Sequence, residues 1–303
     1  MAVIITDQNI TELNEIARTR LGWITDIHWS PNNRSIAVAS ASGITFYDAT
    51  SLTTLGRLQG HDGPVKSIDV DQLGTSLLSA SADTTIRIWD LRQGGTARIL
   101  KGHQNSVEAV AINDASTLVA SASNDKTVRL WDYQSGQQLY QFEGHTREMT
   151  SLLFAMNDSY IASAGWDHTI RIWNIVSKSC QHILRHDDWV RCLAFTGSTE
   201  VLGSASRDAT VRLWDFGTGE ELQRLSAHEG GADACAFSPD GKLLATSGRD
   251  NRIKFWRVAD GSLVSVLEVH QKPVLTLAFS PDGTKLATGS GDNSVRVWEV
   301  SQD

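Results

Sequence analysis

Short apolar stretches alternate with polar turns along the whole chain, and the alternation repeats. Tyr47, Trp89, Trp131, Trp173, Trp214, Trp256 and Trp298 follow one another at intervals of 42, 42, 42, 41, 42 and 42 residues. Each closes a strand-like segment: ITFY, IRIW, VRLW, IRIW, VRLW, IKFW and VRVW, with β-branched or other aliphatic residues at alternate places. Two further strand segments precede each one, as in VKSIDV and SLLSAS before the turn at Ala82-Asp83-Thr84, and a fourth follows. Turn chemistry at Ser30-Pro31-Asn32-Asn33, Ser238-Pro239-Asp240-Gly241 and Ser280-Pro281-Asp282-Gly283 separates the first and second strands. Apolar or small residues on both faces suit a sheet sandwiched between two neighbours. Seven copies of one four-stranded unit therefore predict an all-β, seven-bladed propeller of antiparallel blades.

Only five residues follow Trp298, so the seventh unit lacks its own fourth strand. Leu13 to Arg18 can supply it, because in register this segment matches Gln138 to Phe142 and Ser262 to Leu267. The expectation is a ring whose last blade is closed by the N-terminal strand, with residues 1–303 forming one domain.

Gly60-His61, Gly102-His103 and Gly144-His145 open three units, and Trp89-Asp90, Trp131-Asp132 and Trp214-Asp215 close three. With the spacing and intervening turns, these dipeptides resemble the WD-repeat family over about residues 12 to 300. Arg185-His186, Ala227-His228 and Val269-His270 lose the glycine. Trp173-Asn174, Trp256-Arg257 and Trp298-Glu299 lose the aspartate. The first unit, GWITDIHWSPNNRSIAVASASGITFYD, is the outlier and also resembles the opening of bacterial WD-repeat proteins. Ala37, Ala41 and Tyr47 stand at the places that polar residues and tryptophan hold elsewhere, so this blade is expected to rely on apolar packing and to be the softest.

Six units carry a polar set at matching offsets: His61, Ser79, Asp83, Trp89; His103, Ser121, Asp125, Trp131; His145, Ser163, Asp167, Trp173; and His186, Ser204, Asp208, Trp214. Units six and seven use threonine: His228, Thr246, Asp250, Trp256 and His270, Thr288, Asp292, Trp298. Ser, His and Asp are the ingredients of a nucleophilic triad. Six copies, each with an indole attached, argue instead for a structural device, since catalysis needs one activated nucleophile, an oxyanion hole and a pocket. The family resemblance implies a hydrogen-bonded chain from Asp through His and Ser or Thr to the indole N–H.

Composition narrows the function classes. A formal net charge of -8 argues against a sequence-independent grip on nucleic acid. The only apolar run near the N-terminus, Ala2 to Ile5, has no basic start, which argues against a signal peptide or a membrane span. A cytoplasmic protein is expected. Cys180, Cys192 and Cys235 form no C-x-x-C pair and leave an odd count, which fits a reducing compartment; they are read as structural fillers. No phosphate-cradling loop, metal-binding spacing or cofactor motif is present. His28, His168 and His182 are isolated and are assigned ordinary surface or rim roles.

What the resemblance implies about docking can be transferred position by position. Partners of WD-repeat propellers commonly dock where the turn before each aspartate meets the start of the innermost strand. Ala82, Asn124, Trp166, Arg207, Arg249 and Gly291 precede the aspartates. Trp23, Pro64, Ser106, Glu148, Trp189, Gly231 and Pro273 begin the inner strands. Two residues further on, Thr25, Lys66, Glu108, Thr150, Arg191, Asp233 and Leu275 point toward the channel mouth. The candidate partner-binding residues are Trp23, Lys66, Glu148, Trp166, Trp189, Arg191, Arg207 and Arg249. Units four to six gather two tryptophans and three arginines on one sector, residue types enriched at binding hot spots. The competing reading is that these side chains stack on one another as a cap over the channel.

The leading expectation is a non-catalytic scaffold or adaptor, a monomeric domain within a larger complex. Its partner is expected to be a protein or peptide with Asp, Glu, a terminal carboxylate or phosphate near an apolar anchor. Neither nucleic acid nor membrane is an expected partner. The alternatives are a sensor of a small anionic ligand and an enzyme using the central channel.

Overall fold

The computed structural model describes residues 3–301. Met1 and Ala2, the latter the first residue of the N-terminal apolar run, lie outside the described residues, as do Gln302 and Asp303. Among the described residues, strands assemble into seven four-stranded antiparallel sheets. Blade 1 consists of Ile24–Trp29, Ser35–Ser40, Gly43–Asp48 and Thr54–Leu58, and blades 2 to 6 repeat the order inner to outer. In blade 7, Val274–Phe279, Lys285–Ser290 and Ser294–Val300 are completed by Leu13–Arg20, which pairs antiparallel with Ser294–Val300 from Leu13 opposite Val300 to Arg20 opposite Ser294. The inner strands of successive blades pack side by side, and that of blade 7 returns to blade 1, which closes the ring. Among the described residues no helix is long and apolar enough to cross a membrane.

The core lies in the seams between blades. At the first seam, Trp89 of blade 2 packs with Ala37, Ala39 and Ile44 of blade 1 and with Val65, Ile68 and Leu77 of its own blade. At the next, Trp131 packs with Leu78, Ile86, Ile88 and Leu100 of blade 2. Each buried large apolar side chain contributes roughly 1.5–3 kcal/mol, so the nine such residues of the second seam outweigh any single polar contact across it.

The glycine of the Gly-His dipeptide leaves room for an arginine tip. A Cβ on Gly102 would lie 2.6 Å from the Arg129 guanidinium and 3.1 Å from the Trp131 ring. In blade 5, where Arg185 replaces the glycine, Arg212 Nη1 donates to the Arg185 carbonyl at 2.9 Å.

Every inner strand carries one β-bulge near its start. The register skips one residue between Ile24 and Asp26, Val65 and Ser67, Val107 and Ala109, Met149 and Ser151, Val190 and Cys192, Ala232 and Ala234, and Val274 and Thr276. The skipped residues are Thr25, Lys66, Glu108, Thr150, Arg191, Asp233 and Leu275. A bulge frees one residue from the ladder and re-aims its side chain, here toward the axis of the ring.

Blade 1 departs from the sequence expectation in one detail. Its hairpin after Ser40 has two linking residues, Ala41 and Ser42, whereas blade 3 uses three between Ser123 and Thr127. That deletion shifts the register, so Val38, opposite Thr45, stands where Ser121 stands opposite Arg129, and Ala37 does not. Val38 packs with Tyr47 in an apolar cluster, and Trp29 is buried, its indole donating to the Ala278 carbonyl at 2.9 Å. With no polar chain tying its turn to its strands, blade 1 is expected to exchange amide hydrogens fastest. Hydrogen exchange should find less protection in Ser35–Ser40 and Gly43–Asp48 than in Leu118–Ser123 and Thr127–Asp132; equal protection would remove the distinction.

Candidate functional site

The six polar sets are built alike. His Nδ1 lies 2.7 to 3.0 Å from the aspartate and Nε2 lies 2.7 to 2.9 Å from the Ser or Thr hydroxyl. The indole N–H donates to that same hydroxyl at 2.7 to 3.1 Å. Because the carboxylate can only accept, Nδ1–H donates to it, and Nε2 accepts a hydrogen bond from the hydroxyl, which in turn accepts from the indole. Ser79, Ser121, Ser163, Ser204, Thr246 and Thr288 are all 0% exposed, so no substrate carbonyl can approach these hydroxyls. The aspartate also fixes its turn: Asp125 accepts from Thr127 N at 3.0 Å, Thr127 Oγ1 at 2.6 Å and Gln104 N at 3.0 Å. The next residue is left-handed in all six turns, with φ between 65 and 73° from Thr84 to Asn293.

The turn before each aspartate meets the start of the inner strand through one backbone hydrogen bond. Trp166 N donates to the Glu148 carbonyl at 2.8 Å, Arg207 N to Trp189 at 2.9 Å and Arg249 N to Gly231 at 3.0 Å, with equivalents at Ala82, Asn124 and Gly291. The two sets of positions therefore share one face around the channel mouth. A cavity of about 1310 Å³ runs down the axis. All seven bulged residues line it, together with Trp23, Trp166 and Arg249, whereas Glu148, Trp189 and Arg207 lie outside its wall.

Within this face the Trp/Arg sector has a definite geometry. The rings of Trp166 and Trp189 stack face to face, 4.3 Å between centroids and 7° between planes. Both are half-buried, and Trp166 Nε1 has no hydrogen-bond acceptor among the described residues. Arg191 and Arg249 are not free cations: their Nε atoms lie 3.3 and 3.4 Å from the two oxygens of Asp233, whose side chain is 0% exposed. Arg207 folds over Gly231, whose φ of 116° leaves no room for a side chain; a Cβ there would lie 3.1 Å from Arg207 Cα and Cδ. Trp23, just before the inner strand of blade 1, is well exposed, at 58%. Lys66 pairs with Glu108 at 3.6 Å, and Asn124 Nδ2 donates to Glu108 at 3.0 Å.

The channel wall also holds a cluster that the sequence left scattered. His28 is not an isolated rim residue: Nε2 lies 3.0 Å from Asp69 and Nδ1 lies 2.9 Å from the Trp29 carbonyl. Asp26 accepts from Ile68 N, and Asp69 accepts from Ile112 N, so each carboxylate stitches its blade to the next. Burial pushes the Asp26 carboxyl up to about 6 against these hydrogen bonds. His182 bonds to the Gly217 carbonyl at 2.9 Å, and His168 lies 3.9 Å from Asp188. Among the described residues no group of three or more His, Cys, Asp or Glu could hold a metal ion.

Seven radial four-stranded blades with a repeated Asp–His–Ser/Thr–Trp chain define a WD-type β-propeller. The chain belongs to the family described as WD domain, G-beta repeat, which matches residues 52–90, 94–132, 136–174, 178–215, 219–257 and 261–299. Over 73 residues, 23% of the chain, it is 37% identical to the pre-mRNA-splicing factor cwf17 of Schizosaccharomyces pombe, of which 22% is covered. Over 40 residues, 13% of the chain, it is 50% identical to eukaryotic translation initiation factor 3 subunit I of Neurospora crassa, of which 12% is covered. Over 76 residues, 24% of the chain, it is 29% identical to the small ribosomal subunit protein RACK1y of Oryza sativa, of which 23% is covered. Each matched stretch thus spans less than a quarter of the relative's length. These relatives are eukaryotic and lend no support to the bacterial likeness of the first unit.

Proposed function

We propose that the protein is a non-catalytic interaction scaffold, a single propeller domain over residues 1–303. It docks a protein or peptide on the sector formed by blades 4 to 6 at the channel mouth. The observation that carries this reading is the half-buried Trp166–Trp189 stack, with Arg207 at the next turn along the ring, its backbone N–H bonded to the Trp189 carbonyl. A rigid aromatic platform offers large apolar area at little entropy cost, and a neighbouring guanidinium supplies directional donors. Arg191 and Arg249 share Asp233 and keep one net positive charge, to which Arg207 adds another. An acidic or phosphorylated segment next to an apolar side chain matches this combination. The names of the relatives, a splicing factor, an initiation factor subunit and a ribosomal subunit protein, fit a part that works inside larger assemblies, here as a monomeric domain of the cytoplasm.

The test compares wild type with the Trp189→Ala, Arg207→Ala double variant against an array of acidic and phosphorylated peptides. Capture should disappear in the double variant while its thermal unfolding stays within a few degrees of wild type. Undiminished capture by a folded double variant would refute this placement.

A further inference from the structure

Cys192 and Cys235 lie 43 positions apart on the inner strands of blades 5 and 6, Val190–Thr196 and Ala232–Phe237, which run side by side. Each thiol reaches across the seam to the backbone of the other cysteine. Cys192 Sγ is 3.6 Å from the Cys235 carbonyl oxygen, and Cys235 Sγ is 3.9 Å from the Cys192 carbonyl oxygen. Both residues line the central channel, Cys192 half-buried and Cys235 buried. The reading of both as inert fillers omits this juxtaposition, and Cys180, on the outer strand of blade 4, takes no part in it.

We propose that Cys192 and Cys235 are a redox-modification site, closing to an intramolecular disulfide when peroxide enters the channel. The Cys192 thiolate attacks one oxygen of hydrogen peroxide, forming a sulfenic acid and releasing hydroxide, which takes up the proton the thiol lost. The Cys235 thiol then attacks the sulfenic sulfur; the S–O bond breaks, the S–S bond forms, and the departing oxygen leaves as water with the Cys235 proton. Two thiols and one peroxide thus give one disulfide and two waters. The roles follow from position. Cys192 is the more accessible, and its hydrogen bond with Cys235, aided by the adjacent Arg191 charge, holds its thiol below the ordinary range. The contact with Cys192 and full burial push the Cys235 thiol up, so Cys192 is the one that peroxide oxidises first. The bond would join two blades one residue from Arg191 and two from Asp233. The inference is independent of any docking at the mouth.

The test uses the full chain carrying Cys180→Ser, reduced with dithiothreitol, desalted and exposed to graded hydrogen peroxide. It is then unfolded in iodoacetamide, run on a non-reducing gel and digested with trypsin. The monomer band should yield the peptides Cys192–Arg207 and Leu225–Lys242 joined, lighter than their sum by two hydrogens and separated again by dithiothreitol. Cys192→Ser and Cys235→Ser should each abolish the joined species. Recovery of both peptides separately from the oxidised monomer, whether alkylated or with Cys192 as sulfinic acid, would overturn the proposal. So would a linkage found only in a dimer band.

Discussion

Asp125→Ala should lower the unfolding free energy by about 2–4 kcal/mol while leaving peptide capture at the channel mouth intact. The substitution removes the acceptor for four donors at once: His103 Nδ1–H at 2.8 Å, Gln104 N, Thr127 N and the Thr127 hydroxyl. Arg129, 3.5 Å away, loses its nearest carboxylate. His103 is buried, so its N–H finds no water in place of the carboxylate. With the imidazole no longer held, Ser121 and the Trp131 indole lose the partner that orders them, and the blade 2 to blade 3 seam loosens with them. Equilibrium denaturation in urea reads the loss directly. Asp125→Asn, which keeps one acceptor oxygen, should cost less. An unchanged denaturation midpoint for the alanine variant would mean that the chain through His103 contributes nothing measurable.

Acidification should weaken the ring more than any single substitution, and should begin to do so before carboxylates titrate. Burial holds His61, His103, His186, His228 and His270 below the ordinary histidine range. In the unfolded chain these groups take up protons near pH 6.5, whereas in the folded chain they resist. Their stability contribution is therefore complete above about pH 6.5 and falls as pH drops toward their folded values. A second loss follows below about pH 4. Burial would raise the carboxyls of Asp83, Asp125, Asp167, Asp208 and Asp292, but hydrogen bonds from the histidine and the following Thr or Ser hold all five below the ordinary value.

Two channel groups act in the opposite sense. Burial lifts Asp26 to about 6, and the Asp69 carboxylate outweighs burial to lift His28. Their contribution is present in acid and lost as pH rises through the folded values. Five histidines outnumber these two, so the unfolding temperature should fall from pH 7 to pH 5 and more steeply below 4. Asp26→Asn should steepen the first fall. A flat profile between pH 7 and 5 would contradict the sign.

Much of this molecule is legible in its sequence because each blade repeats a local pattern. The interval between tryptophans, the turns before Asp83 and its equivalents, and the offset that assigns Leu13 to Arg18 to the last blade are all short-range regularities. Contacts between blades are not. Asp233 reaches Arg191 across 42 positions, Cys235 meets Cys192 across 43, and Asp69 meets His28 across 41. The repeat brings each pair onto neighbouring inner strands, but the residue types at these positions change from blade to blade, so no pairing carries over from one blade to the next. The register of blade 1 was likewise hidden, because one missing hairpin residue moves Val38 into the place assigned to Ala37. At the candidate site, the positions on the mouth could be read off, but not that Asp233 engages two of the three arginines or that the two indoles stack on each other.

The bulges at the inner-strand starts give the mouth an unusual freedom. Thr25, Lys66, Glu108, Thr150, Arg191, Asp233 and Leu275 lie outside the inner-strand ladder register, so exchanging one side chain for another leaves the pairing on either side undisturbed. Threonine, lysine, glutamate, arginine, aspartate and leucine already coexist at these seven equivalent places. The rim's electrostatic code is therefore written in pairs of neighbouring blades, as Lys66 with Glu108 and Arg191 with Asp233, on a frame held in the seams below it.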